Sequence, residues 1–392
     1  MANITIVPDL PPLPEYTLSP IPPLLPFISD FWLSLIAPHI AYWVVSLVFH
    51  VIDIYDLFPQ YRLHTPAEIT QRNLASRFEV ARDVLVEQVI QIGMATFLSL
   101  TEPLQMTGME DYQVAVWATR VRIAQRALPT LLSLLGLNAA TIAKNMSTSH
   151  PLLAGALSGG HYPFLTTLLD DVTGTHVPAF AAWELTVAKA IYWILIPAFQ
   201  IWVATCALDT WQYFMHRAMH VNKWMYSEST RNPPPPLSLS LSISLLFRVL
   251  GSNFCTAQWH ARHHRLYVPY AYGALYNHPV EGFVMDTLGA GVAYKVSFMS
   301  SRLGMFFFIG SMVKTVDDHC GYALPWDPLQ HITSNNAAYH DIHHQSWGIK
   351  TNFSQPFFTI WDRLLGTMWK GDTNLKYERT RAAAENKRSK AQ

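Results

Sequence analysis

A chain of 392 residues has room for one large or two ordinary soluble domains, but its composition excludes an ordinary soluble protein. Half of the residues are hydrophobic, 13% are aromatic and only 14% are charged, against about 25% charged in a typical soluble domain. Lys+Arg and Asp+Glu balance at 27 each, so no net field draws in nucleic acid. Cys206, Cys255 and Cys320 form neither a CxxC pair nor a disulfide framework.

The first thirty residues lack a basic n-region and are broken by Pro8, Pro11, Pro12, Pro14, Pro20, Pro22, Pro23 and Pro26. They read as an irregular lead-in without a cleavable signal peptide. Phe31 to Ile52 is an uncharged run of twenty-two residues, long enough to cross about 30 Å of hydrocarbon. Val84 to Leu100 is interrupted by Glu87 and Gln88 and reads as a second span or an interfacial helix. Tyr112 to Asn145 is amphipathic helical material, and Gly155 to Gly174 reads mainly as loop. Ala190 to Leu208, nineteen uncharged residues, is a second strong span. Gly282 to Phe298 and Leu303 to Val313 are shorter apolar stretches, suited to a helical hairpin or a re-entrant pair. From Lys370 onward seven basic and three acidic residues form a polar tail, which the positive-inside tendency places in the cytosol. The organisation expected is therefore a lead-in (1–30), membrane helices with their connections (31–185), a domain over 186–370 and a basic tail (371–392).

Histidine is the unusual residue: eleven of seventeen lie between His216 and His344. His216 and His220 form an HxxxH, whose i and i+4 positions share a helix face. His260, His263 and His264 form an HxxHH, and His340, His343 and His344 repeat it eighty residues later. Each box is expected to present all its imidazoles on one face. Imidazole suits redox iron, copper and zinc, and eight donors exceed one ion's capacity, so two metals are implied. His278 and His319 are further candidate ligands, which would bring the set to five per metal, while His331 reads as a bystander. Asp209, Asp286, Asp317, Asp318 and Asp341 are candidate acceptors for orienting the rings. Glu-x-x-His pairs, the mark of carboxylate-bridged bundles, do not occur.

Three segments carry a resemblance: DTWQYFMHRAMHVNKWMY (209–226), HHRLYVPYAYGALYNHPVEGFVMDTLGA (263–290) and the region 315–369 containing NNAAYHDIHHQ. The sequence resembles the fatty acid hydroxylase superfamily, which includes sterol desaturases and methyl oxidases, and within it the sphinganine C-4 hydroxylases of fungi and plants. The resemblance implies an all-α fold: a polytopic transmembrane helical bundle, four-span or similar, with a cytosolic helical cap carrying a histidine-ligated di-iron site. It implies a multi-pass enzyme of the endoplasmic reticulum membrane whose active-site face is cytosolic. Electrons would come from NAD(P)H through a b-type cytochrome and its reductase. The substrate would be a long-chain lipid, sphinganine or dihydroceramide, hydroxylated at C-4. Carried over by position, the ligands are His216, His220, His260, His263, His264, His340, His343 and His344, joined by His278 and His319. Tyr267, Tyr270, Tyr272, Tyr276, Trp347 and Phe353 are candidates to line the lipid path. A sterol methyl oxidase or desaturase is the alternative within the superfamily; a metal transporter or an inactive scaffold are the alternatives outside it.

One segment departs from the family pattern. Ser227 to Ala257, with four consecutive prolines and a Leu/Ser run, separates the first two boxes where the family has only a short helical stretch. It reads as translated intron or as a divergent insertion, and an insertion there threatens the placement of His260, His263 and His264. The mature transcript decides between them: an intron predicts a message without the codons for PPPPLSLSLSIS.

Overall fold

The computed structural model describes residues 10–170, 175–222 and 259–391; the atypical Ser227–Ala257 segment lies outside them. The chain is 64% helical with very little sheet. It divides into two compact units, Met1–Pro22 with Pro103–Gln200, and Pro23–Glu102 with Ile201–Gln392.

Two helices among the described residues are long and apolar enough to cross a membrane, and they make the chain a membrane protein. The first, α1 (Asp30–Ile54), buries Leu35, Pro38, Tyr42, Ser46 and Phe49 at intervals of three and four. It leaves Trp32, Ile36, Ile40, Val44 and Leu47 exposed on the other side. An exposed apolar face is costly in water and suited to lipid. Pro38 sits inside α1 without ending it. The second span is the continuous helix Ala182–Val221, 40 residues long. A third apolar pair, Glu110–Leu134 and Ala139–Met146, is bent by 113°. Among the described residues the count is thus two, or three if the bent pair is one span.

In the second unit, α1 is followed by α2 (Pro66–Arg72), which Thr65 and Glu68 open with a reciprocal capping box. Next comes α3 (Arg77–Ser99), capped by Ser76. Its interior carries buried Asp83, Glu87, Gln88 and Gln91, the reason it falls short as a span.

The first unit begins in the proline-rich lead-in, which is partly ordered: β1 (Ser19–Pro20) pairs antiparallel with β2 (Met106–Thr107). Gly108 follows at φ +107, and a Cβ there would lie 2.1 Å from the Thr17 carbonyl oxygen. Then come α4 (Glu110–Gln125), α5 (Leu128–Leu134), α6 (Ala139–Met146) and α7 (Pro151–Leu157). Within Gly155 to Gly174, expected mainly as loop, residues 155–157 end α7 and Thr166–Asp170 form β3, which pairs antiparallel with β4 (Thr175–Pro178) just beyond the stretch. The Thr residues of the two strands favour extended chain. The unit closes with α8 (Ala182–Ala190), running through a π-helical turn into α9 (Ile196–Val221). Val114, Ala118 and Ala188 form its core. Buried Glu184 accepts from Arg122 and Gln125.

The second unit resumes along α9 and carries α10 (Trp259–His263), α11 (Pro279–Gly282), α12 (Gly289–Ser297) and α13 (Ser301–Asp318). A π-helical turn (Phe283–Leu288) joins α11 to α12. Arg302, Lys314, Asp317 and Asp318 keep α13 from qualifying as a span. It packs parallel to α1: Arg302 pairs with Asp30 at one end (2.6 Å), and Tyr322 reaches the Ile52 carbonyl at the other (3.5 Å). The remaining helices are α14 (Leu329–Ile332), α15 (Ala337–His344), α16 (Ile360–Leu365) and α17 (Thr373–Ala391). The basic tail is thus helical. It is docked through Tyr377, whose hydroxyl donates to Asp341 within the third histidine box.

Tyr42 centres the core of this unit. It is fully buried among Tyr270, Tyr272, Tyr276, Val316 and Tyr322. Its hydroxyl donates to the Tyr272 carbonyl (2.8 Å) and accepts from the Leu275 N–H (3.3 Å). Tyr42→Phe keeps the ring and strands two buried backbone groups, which costs about 1–3 kcal/mol. Thermal unfolding of the solubilised protein should register a lower midpoint without loss of helix content.

Candidate metal centre

Each histidine box is built on a helix, long for the first box and short for the other two. His216 and His220 occupy the last turns of α9. His260 and His263 lie on α10, with His264 one residue beyond it. His319 follows the end of α13. His340, His343 and His344 lie on α15, whose start is capped when the Asn336 side chain accepts the Tyr339 N–H (3.0 Å). All nine are buried, none more than 8% exposed.

Their ring nitrogens converge on two points. His216, His220, His260, His264 and His343 form one group, and His263, His319, His340 and His344 form the other. Within each group the donor atoms all lie within 4.8 Å of one another. The boxes therefore do not each present one face to one metal, as the spacing suggested. In both HxxHH boxes the i,i+4 pair grips one point and the i+3 histidine crosses to the other. His260 and His264 stay with the first group while His263 joins the second; His340 and His344 stay with the second while His343 joins the first. On a helix, i+4 lies about +40° from i and i+3 about −60°, so one short helix reaches two sites at once.

The outer nitrogens fix which inner nitrogen is free to ligate. The Nδ1–H groups of His216, His343, His344, His263 and His319 donate to the carbonyls of Phe353 (2.9 Å), Thr351 (2.7 Å), Leu266 (2.9 Å), Tyr276 (3.2 Å) and Thr315 (2.9 Å). His260 donates its Nδ1–H to the Glu281 carboxylate. With the proton on Nδ1, each Nε2 carries a bare lone pair. Burial, reinforced by neighbouring imidazoles, drives His260, His264, His340, His343 and His344 well below the usual histidine range. It also lowers His263 to about 4 and His319 to about 3. Neutral rings are the ligating form.

The lone pairs face one another closely. Nε2 of His216 and His260 are 3.1 Å apart, those of His220 and His343 3.0 Å, and those of His264 and His343 3.1 Å. In the second group, His319 and His340 are 3.0 Å apart and His340 and His344 3.2 Å. Two acceptors at such distances repel unless a cation lies between them. Ligands bound at about 2.1 Å and at right angles sit about 3 Å apart, so both groups fit a metal ion.

The comparisons with known proteins agree. The fatty acid hydroxylase family model matches residues 248–367. A sphingolipid C4-hydroxylase of Saccharomyces cerevisiae is 37% identical, covering 91% of this chain and 77% of that protein. One from Schizosaccharomyces pombe is 36% identical over 91% of this chain and 94% of its own length. The chain belongs to the fatty acid hydroxylase family. A sphinganine C4-monooxygenase of Arabidopsis thaliana is 34% identical over 87% of this chain and 88% of its own. No solved structure matches the chain.

Nine of the ten candidate histidines of this family member come together; His278 does not. It caps α11, its Nδ1 accepting the Val280 N–H (3.2 Å). That places its proton opposite to the grouped rings. His260, His263 and His264 keep their places despite the long segment before them. Among the described residues, none of Asp209, Asp286, Asp317, Asp318 and Asp341 accepts directly from a grouped histidine. Asp209 instead takes the Phe357 and Phe358 N–H groups (3.0 and 2.7 Å). Asp286 accepts from the Asn277 amide (2.9 Å).

Three positions escaped the sequence reading. Buried Asp362 accepts the Phe353 and Ser354 N–H groups (3.0 and 2.7 Å), holding the strand of chain whose carbonyls orient His216 and His343. Glu281 holds His260. His64 contacts Glu68 (3.0 Å) and Asp341 (2.9 Å); burial alone would lower its pKa, but the two carboxylates raise it to about 9. The acid three residues after His278 was the available signal for Glu281; nothing local marks Asp362 or His64.

A cavity of about 230 Å³ meets both groups: His216, His260, His263, His319 and His340 all line it. Its walls are largely apolar, including Leu35, Met94, Leu98, Met285, Met305 and Phe308. None of the six aromatic residues expected along a lipid path lines it. Tyr270, Tyr272 and Tyr276 are core, Phe353 packs on His216, His220 and His343, and Trp347 packs on Trp369 and Tyr377.

The two groups predict two metal ions per chain. His340→Ala and His264→Ala should each remove about one of the two from the purified protein, measured by elemental analysis. His278→Ala should retain both.

Proposed function

We propose that the protein is a di-iron monooxygenase that hydroxylates C-4 of sphinganine or dihydroceramide, giving phytosphingosine-type bases for sphingolipid synthesis. The observation that carries this reading is the meeting of two all-imidazole groups on one apolar cavity. Relatives alike over most of their length bear the names of sphingolipid C4-hydroxylase and sphinganine C4-monooxygenase, which supports the choice of substrate.

The grouped histidines would hold two iron ions, and the carbonyls of Thr351, Phe353, Leu266, Tyr276 and Thr315 keep their rings aimed. Iron supplies the oxidation: one atom of dioxygen enters the C–H bond and the other leaves as water, consuming two electrons and two protons. The cavity walls bind the alkyl chain and exclude water from the reacting carbon. The exposed apolar faces of α1 and of Ala182–Val221 place the protein in a bilayer, where the substrate already resides. Electrons come from NAD(P)H through a b-type cytochrome and its reductase. The membrane is that of the endoplasmic reticulum, with the metal side and basic α17 in the cytosol.

The test is expression in cells that lack sphinganine 4-hydroxylation, with iron measured on the purified protein. Restored 4-hydroxylated bases and about two iron ions per chain are expected. Iron-free active protein would overturn the metal assignment. Iron with oxidation of a sterol precursor alone would overturn only the substrate.

A further inference from the structure

Two of the carboxylates that line the cavity form no ion pair with lysine or arginine among the described residues. Four carboxylates line it, Glu102, Glu281, Asp286 and Asp318, and no lysine or arginine does. Glu102 is paired with Lys295 and Asp318 with Lys314. Glu281 and Asp286 have no lysine or arginine partner among the described residues. Glu281 is 1% exposed; one carboxylate oxygen holds His260, and the other, Oε2, has no hydrogen-bond partner among those residues. Asp286 takes one hydrogen bond on each oxygen, from Gln212 (3.0 Å) and Asn277 (2.9 Å), which fix its plane and leave lone pairs over. Buried Glu87 lies behind them, packed against Gly282. Burying several ionised carboxylates in an apolar cavity is costly without a cation, the alternative being to protonate them.

Resting on the sphingoid-base reading, the geometry assigns Glu281 and Asp286 to an ammonium-binding subsite. The enzyme thereby takes its lipid as a protonated long-chain amine rather than as the uncharged N-acyl form. The subsite adjoins the histidine groups: Glu281 accepts from His260, and Asp286 accepts from Asn277, the residue after Tyr276, whose carbonyl orients His263. In a 2-amino-1,3-diol the amine-bearing carbon and C-4 are two bonds apart, about 2.5 Å. An ammonium anchored here holds C-4 near the metal groups while the tail runs along Met94, Leu98 and Met305. Charge at one end thus sets both the substrate class and the carbon attacked. It also places hydroxylation before N-acylation.

The test uses the full-length, metal-loaded protein in detergent, with octadecylamine and 1-octadecanol as matched ligands. Octadecylamine should raise the unfolding temperature and inhibit sphinganine turnover at about tenfold lower concentration than the alcohol. N-acetylsphinganine should behave as the alcohol does. Asp286→Asn should erase the amine's advantage and raise KM for sphinganine more than it lowers kcat, with metal content unchanged. Glu281→Gln, whose amide oxygen still accepts from His260, is the second variant if the first does not fold. Equal potency of amine and alcohol on the unaltered protein would overturn the subsite. So would an amine preference that survives both substitutions while metal is lost, since the carboxylates would then serve to balance the ions' charge. Amine binding that depends on Asp286 in a protein without sphinganine turnover would support the subsite and sink the substrate reading instead.

Discussion

The structure depends on a repulsion that only a cation relieves. Nine buried neutral imidazoles aim lone pairs at two points, with Nε2 atoms about as close as ligands on one ion. Rotating a ring away would break its Nδ1–H bond to a carbonyl, and the buried donor would find no water to replace it. Metal binding at these groups would therefore be coupled to the fold. The short helices α10 and α15 meet α9 and the end of α13 through these imidazoles.

The crossing of His263 and His343 gives this coupling its form. Each of the two HxxHH helices contributes to both groups, so neither site can be lost without disturbing the supports of the other. The orienting acceptors are mostly backbone carbonyls, which fix a tautomer without adding charge. Carboxylates work one step back: Asp362 holds Phe353 and Ser354, and Asp209 holds Phe357 and Phe358. The segment between Thr351 and Phe358 is thereby pinned beside the first group.

What could be read in the sequence follows from the range of each interaction. The i,i+4 pairs are local, so the boxes were legible from spacing. The two apolar spans were legible from length alone. The sharing of each box between two sites was not, because helical period gives angles and says nothing of what lies across the gap. His278 and His319 look alike as single histidines near helix ends. Only the structure shows that His319 donates to Thr315 whereas His278 accepts from Val280. The β3–β4 pair was hidden by its shortness, and the docking of α17 by its polarity, since Tyr377 finds Asp341 only in three dimensions. The tyrosines near the second box were misread as a lipid path because an aromatic cluster has the same composition in a core as in a channel.

The cavity brings the remaining features together. It touches three histidines of the second group and two of the first, so a single occupant would face both groups. The apolar walls suit a chain that would otherwise stay in the bilayer, and the unpaired carboxylates stand at the end nearest the imidazoles. A cavity apolar throughout would let a long chain slide and expose many equivalent C–H bonds. A fixed charge beside the histidine groups would remove that freedom, and the selectivity of attack would then follow from where the carboxylates stand.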